Sequence, residues 1–251
     1  MRRANANGEC DGSVAFYSGP MTDAQKWQRS MSTLTTAPLA PLLDRLFDEA
    51  AATTATAMSA FAEIPTEERE RLMRSKTDYV EFYSQLKDLP LAVSRETGVL
   101  LYMLARSCRA RTIVEFGTSF GISTLHLAAA LRDNGGGQLI GSEFEPSKVL
   151  RAHDNLRAGG LDDLVEIREG DALQTLRSDL PDSIDLLLLD GAKALYPQVL
   201  ALLETHLRPG ALIVADNADY SPEYLAHVRS SDAGYLSIPF GEDVELSMRV
   251  G

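Results

Sequence analysis

The sequence predicts an α/β fold: a doubly wound, mostly parallel sheet with an antiparallel C-terminal edge hairpin, preceded by N-terminal helices. Three observations carry this expectation. From Arg111 onward, short apolar runs alternate with segments of helical periodicity, the pattern of parallel strands joined by right-handed crossovers. The apolar runs end in a glycine turn or an acid: "TIVEFG", "GSEF", "REGD", "LLLLD", "IVADN". The last two runs, "GYLSIPF" and "DVELSMRV", are joined by a short Gly-Glu turn and read as an antiparallel pair at the sheet edge.

The elements follow in order. Residues 1–35 are polar and mixed and read as a flexible arm, with a short helix near "MTDAQKWQRSM". Residues 36–251 read as one domain, with helices over 36–110 and the sheet core over 111–251. "PLAPLLDRLFDEAAATTATAMSAFAEI" places Leu42, Leu43, Leu46 and Phe47 at helical spacing. "TEERERLMRSKTDYVEFYSQL" predicts a second helix, with Thr66 as N-cap and acids in its first turn. "SRETGVLLYMLARSC" predicts a third, capped by Ser94. Then come the strand "TIVEF", the turn "GTSFGIST" and the helix "STLHLAAAL". "QLIGSEF" is a strand and "PSKVLRAHDNLRAGG" a helix ended by glycines. "LVEIREGD" is a strand, "ALQTLRSDL" a helix, "IDLLLLD" a strand, "LYPQVLALLETHL" a helix and "ALIVADN" a strand. "SPEYLAHVRSS" is a helix before the hairpin.

Composition narrows the function classes. The formal net charge of -12 argues against a general nucleic-acid binder, which needs clustered Lys and Arg for phosphates. It argues equally against an anionic membrane surface. No apolar run approaches the roughly 20 residues a membrane helix needs, and the polar start lacks the apolar segment of a secretory signal. A cytoplasmic protein with two reduced thiols, Cys10 and Cys108, is the expectation, with a single disulfide as the alternative.

The acids explain where the chemistry lies. In an open parallel sheet, ligands bind beyond the carboxyl ends of the strands. "EFGTSFG" supplies a glycine turn where a ligand can approach the backbone at a helix N-terminus. Glu143 ends the next strand and can accept hydrogen bonds from two ribose hydroxyls. Turn and acid together point to a nucleoside-containing cofactor; a dinucleotide stays open, though the pyrophosphate spacing G-x-G-x-x-G is absent. Asp171 is placed for an adenine edge or for capping the helix that follows. Asp190, Asp216 and Asn217 come from neighbouring strand ends and form a hard oxygen set suited to Mg²⁺ or Ca²⁺. Lys193 would lie beside that ion, where a partly desolvated amine has a lowered pKa and can act as a base.

The set "VEFGTSFGIST", "GSEFEP", "LLLLDGAKALY" and "IVADN" resembles the cation-dependent S-adenosylmethionine O-methyltransferases of the catechol and caffeoyl-CoA type, over roughly residues 89–250. The resemblance implies the class I methyltransferase, Rossmann-like fold. It implies that Gly117 and Gly121 wrap the methionine part of the cofactor, with Ser119 and Ser123 near its carboxylate and Val93 and Ser94 closing over it. Glu143 would hold the ribose, Asp171 with Ala172 the adenine, and Asp190 would also border the cofactor. Asp190, Asp216 and Asn217 would bind Mg²⁺, Ca²⁺ or Mn²⁺. Lys193 would be the base, facing the phenolic substrate with Asn217 and Glu245. The short tail is closer to the catechol enzymes. Two departures stand out. Gly191 and Ala192 replace bulky residues between aspartate and lysine, and Leu89 stands where the catechol enzymes carry a tryptophan; Trp27 lies in the arm. A wider or differently lined pocket is the expectation.

The reaction implied is attack of a metal-ionised phenol of an ortho-dihydroxy aromatic on the sulfonium methyl, with Lys193 taking the proton. Two alternatives come from other classes: a nicotinamide-dependent oxidoreductase, and a methyltransferase-like binding protein without activity. The N-terminal helices are a candidate surface for a homodimer.

Overall fold

The computed structural model describes residues 32–62, 65–241 and 243–251. Trp27, Cys10 and the expected helix at residues 21–31 lie outside them. Among the described residues no helix is long and apolar enough to cross a membrane.

Among the described residues, four α-helices precede the sheet: α1 (Leu39–Ala62), α2 (Thr66–Met73), α3 (Tyr79–Ser84) and α4 (Arg95–Ser107). The helix expected over residues 66–86 is thus two. Between them the Ser75 hydroxyl accepts from the Asp78 and Thr77 backbone N–H groups, at 3.0 and 3.3 Å, local bonds that compete with the helical ladder. Pro65, not Thr66, occupies the N-cap of α2. Ser94 caps α4 as expected, accepting from the Thr97 N–H at 3.0 Å.

The core alternates β1 (Thr112–Phe116), α5 (Ile122–Asp133), β2 (Gln138–Glu143), α6 (Pro146–Gly159), β3 (Val165–Glu169), α7 (Ala172–Thr175), β4 (Ile184–Leu189), α8 (Tyr196–Leu203) and β5 (Leu207–Ala215). Then follow α9 (Pro222–Val228), β6 (Tyr235–Phe240) and β7 (Val244–Arg249). The strand order is β3-β2-β1-β4-β5-β7-β6. β1 to β5 are parallel, while β7 runs antiparallel to both β5 and β6. The order reverses between β1 and β4, so a crevice opens beyond their carboxyl ends.

α7 is a single turn, shorter than "ALQTLRSDL" suggests. Arg168 donates to the Thr175, Ser178 and Asp179 carbonyls at 2.8–2.9 Å and so satisfies the chain where the helix would have continued. The run Ile184–Leu189 feeds both faces of the sheet. Leu186 and Leu188 join Leu39, Leu101, Leu125 and Leu156 on one face. Leu187 and Leu189 join Tyr196, Val199, Ile213 and Tyr224 on the other. A strand covered on both sides has no place for polar alternation, which is why Leu186–Leu189 is all apolar; Asp185, at the start of the strand, accepts from the Arg111 and Thr112 backbone N–H groups and from Arg208.

Candidate active site

The ladder bonds continue past the strand ends and draw the rim together. Gly117 N–H donates to Ser142 O, Asp190 N–H to Phe116 O, and Asp216 N–H to Leu189 O, at 2.8–3.0 Å. Glycine is required at 117: φ is +97°, and an added Cβ would lie 2.6 Å from the Asp190 backbone.

Beneath this turn sits Glu115, fully buried in the middle of β1. Its carboxyl accepts from Ser123 Oγ and Thr124 Oγ1 at 2.6 Å and from Thr118 Oγ1 at 3.1 Å. It pins the turn to the start of α5. Burial pushes its pKa up to about 7 against the three hydroxyl donors. Glu143 receives the Ser119 N–H at 2.8 Å and the Glu145 N–H at 3.0 Å, one on each oxygen, which leaves lone pairs facing the crevice. The Ser119 hydroxyl donates to Pro90 O at 2.6 Å, tying the turn to the segment before α4. Asp171 caps α7 by accepting from the Leu173 N–H at 2.9 Å.

A first cavity is lined by Gly117, Ser119, Glu143, Asp171, Ala172 and Asp190, with Tyr79, Phe116 and the buried Lys148. Val93, Ser94, Gly121 and Ser123 are not among its lining residues; the Ser94 and Ser123 hydroxyls serve α4 and Glu115 instead. A second cavity adjoins it, with Met73, Phe82, Leu86 and Ala92 as walls and Asp190, Lys193, Asp216 and Asn217 at its polar end.

Lys193 Nζ lies 2.8 Å from Asp190 Oδ1 and 3.8 Å from Asp216 Oδ2. It is 5.5 Å above the Tyr196 ring, whose hydroxyl donates to Asp216 O at 2.8 Å. Burial alone would depress the amine, but Asp190, then Tyr196 and Asp216, raise it well above its ordinary value. The lowered pKa expected from the sequence is therefore reversed while the carboxylates act on Lys193 alone. Burial and the neighbouring Asp190 push Asp216 up to about 7. Asn217 stands at φ +47° and donates through Nδ2 to Asp243 Oδ2 at 3.1 Å, so its amide oxygen is not spent on that contact. Two crowded carboxylates and an amide oxygen fit a hard divalent cation. The charge that crowds Asp216 is the charge such an ion would neutralise.

Glu245 does not join this cluster. It is 1% exposed in β7, gripped by Arg229 at 2.8 and 2.6 Å and by Ser237 at 2.5 Å. The acid that the hairpin brings beside Asn217 is Asp243, from the turn. The space expected at Gly191 is also taken. A Cβ there would lie 2.5 Å from the Phe116 ring, so the site is differently lined at this point rather than open. Sequence reasoning passed over Glu115, although an acid inside an apolar strand is a visible signal. Tyr83, which borders both cavities, carried no signal.

This fold and rim define a class I methyltransferase domain. Residues 114–218 match the family described as "Methyltransferase domain". The chain is 36% identical over 130 residues to a catechol O-methyltransferase of Niastella koreensis, covering 51% of this chain and 58% of that one. It is 33% identical over 151 residues to a catechol O-methyltransferase of Mycobacterium tuberculosis, covering 60% and 68%. The solved O-methyltransferase TomG from Streptomyces achromogenes, involved in tomaymycin synthesis and in complex with S-adenosylmethionine, is 31% identical with a TM-score of 0.57, covering 67% of this chain and 86% of that one. The chain belongs to the S-adenosylmethionine-dependent O-methyltransferase family that includes the catechol enzymes.

Proposed function

We propose that this protein transfers the methyl group of S-adenosylmethionine to one hydroxyl of a small aromatic carrying two adjacent hydroxyls, with a divalent cation of the Mg²⁺ type. The observation that carries this reading is the buried Lys193–Asp190–Asp216 cluster at the junction of two cavities, with Asp190 bordering both. The catechol O-methyltransferase relatives support the acceptor class.

Glu143 takes the cofactor ribose with its remaining lone pairs, Gly117 lets the backbone approach the methionine part, and Asp171 with Ala172 borders the adenine. The sulfonium of the cofactor supplies the electrophilic methyl. Asp190, Asp216 and the Asn217 amide oxygen would hold the cation, which when bound polarises a phenolic oxygen as a Lewis acid. With both carboxylates so engaged, the burial that favours the free amine of Lys193 would be opposed chiefly by Tyr196 and no longer by Asp190 and Asp216. Lys193 then accepts the phenolic proton at Nζ. Met73, Phe82 and Leu86 exclude water and hold the ring, which keeps the nucleophilic oxygen facing the methyl.

The test is turnover of 3,4-dihydroxybenzoate with S-adenosylmethionine. Methylated product that forms with Mg²⁺, disappears in excess chelator and returns with added Mg²⁺ is the expected result. Full activity in excess chelator would remove the metal from the reading; no activity on any vicinal diphenol would remove the acceptor class.

A further inference from the structure

We propose that Tyr83 grips the acceptor where the methyl group passes: its hydroxyl donates a hydrogen bond to an acceptor oxygen and so selects which hydroxyl is methylated. The proposal rests on the acceptor class given above. Four residues border both cavities: Tyr83, Leu91, Asp190 and Gly191. A group moving from one cavity to the other passes among these four. Leu91 is apolar and Gly191 has no side chain, so the polar side chains at the crossing are Asp190 and Tyr83. Asp190 is engaged by Lys193.

The phenolic proton of Tyr83 is not engaged. Its Oη is buried and has no hydrogen-bond partner among the described residues. The Lys193 backbone N–H faces the oxygen, but an N–H offers the phenolic proton no acceptor. Burial raises the pKa of the phenol, with Asp190 opposing the Lys193 ammonium, so the group keeps its proton and remains a donor. The ring is set by the backbone of α3 and by an edge-to-face contact with Phe82, centroids 5.1 Å apart. A buried hydroxyl without an acceptor destabilises a fold, and an oxygen presented at the crossing relieves that cost. Tyr79, on the same helix, borders the first cavity alone and has no such position. An acceptor oxygen that loses its proton to Lys193 gains charge and accepts more strongly, so the Tyr83 contact tightens on deprotonation and loosens again as the oxygen bonds to the methyl carbon.

The experiment compares wild type and Tyr83→Phe as full chains with S-adenosylmethionine, Mg²⁺ and 3,4-dihydroxybenzoate, whose two hydroxyls give separable products. The expected result is a rise of about 3- to 10-fold in KM for the acceptor, the scale of one lost hydrogen bond, with a product ratio moved toward equality. Affinity for S-adenosylmethionine by calorimetry stays unchanged, and the melting temperature of the ligand-free protein is held or raised. An active wild type with an indifferent variant overturns the proposal alone. A variant that loses melting temperature and cofactor affinity together also overturns it, in favour of a structural role. A wild type that methylates no vicinal diphenol overturns the acceptor class, and this proposal with it.

Discussion

The Lys193 ammonium and the Asp190 carboxylate, three residues apart in the chain, form a 2.8 Å ion pair at side chains that are 6% and 11% exposed. Removing the cation leaves Asp190 and Asp216 facing each other in a poorly solvated place. Lys193→Met should lower kcat by about 10²- to 10⁴-fold, the effect of losing a general base, with little change in cofactor affinity. Lys193→Arg should not restore the rate, because a guanidinium keeps its proton. Calorimetry should also show Mg²⁺ binding the methionine variant more tightly than wild type, since no ammonium competes for the carboxylates. A variant that keeps most of its rate at saturating Mg²⁺ would end the catalytic role of Lys193.

Glu143 joins the first cavity, where we propose the cofactor binds, to the glycine turn through the Ser119 N–H. Glu143→Ala should weaken S-adenosylmethionine binding by about 1.5–3 kcal/mol, the scale of a lost charge-assisted hydrogen bond. Calorimetry at fixed pH measures this directly; an unchanged affinity would place the ribose elsewhere.

Glu115 gives a pH signature of stability. Its folded pKa of about 7 lies above the ordinary carboxylate range. The folded protein therefore holds this proton more tightly than the unfolded chain does. The associated stability is fully present below the unfolded pKa of about 4.3 and is lost as pH rises through 7, a change on the order of 3 kcal/mol. Urea midpoints at pH 5 and pH 8 should show that loss in wild type and a flatter dependence in Glu115→Gln. Equal slopes in the two proteins would mean that Glu115 is ionised throughout.

Gly191 is enclosed by the Phe116 ring. Gly191→Ala should displace that ring, at a cost of about 1–3 kcal/mol for overpacking, and should weaken cofactor binding because Phe116 lines the same cavity. Urea unfolding together with calorimetry tests both effects. A variant as stable as wild type would show that the ring can move aside freely.

The sheet was legible because its information is local. An unbroken apolar run such as Leu186–Leu189 requires cover on both faces, and acids at the ends of such runs mark the rim. Asp190, Lys193, Asp216 and Asn217 could be gathered from the sequence for that reason: each sits within a few residues of a strand end. Contacts made across the chain were not legible. Arg168 ends α7 by folding back from the strand just before it. Arg229 claims Glu245 from the C-cap of α9. Phe116 fills the space at Gly191, and Tyr83 reaches the crossing from a helix before the sheet. In each case the deciding contact lies outside the spacing of a single helix or strand, and no periodicity encodes which group it meets.

The second cavity has a divided origin. Its polar end comes from strand ends, whereas Met73, Phe82, Tyr83, Leu86, Leu91 and Ala92 all belong to one continuous stretch before the sheet. Acceptor preference is therefore transferable as a segment. Exchanging residues 73–92 for the corresponding stretch of another O-methyltransferase would re-shape the compartment proposed for the acceptor while leaving the acidic strand ends in place, provided that the carbonyl at position 90 still accepts from Ser119. In evolutionary terms, a change of acceptor can be concentrated in this one stretch, within the limit that the buried Phe82 and Leu86 keep their packing.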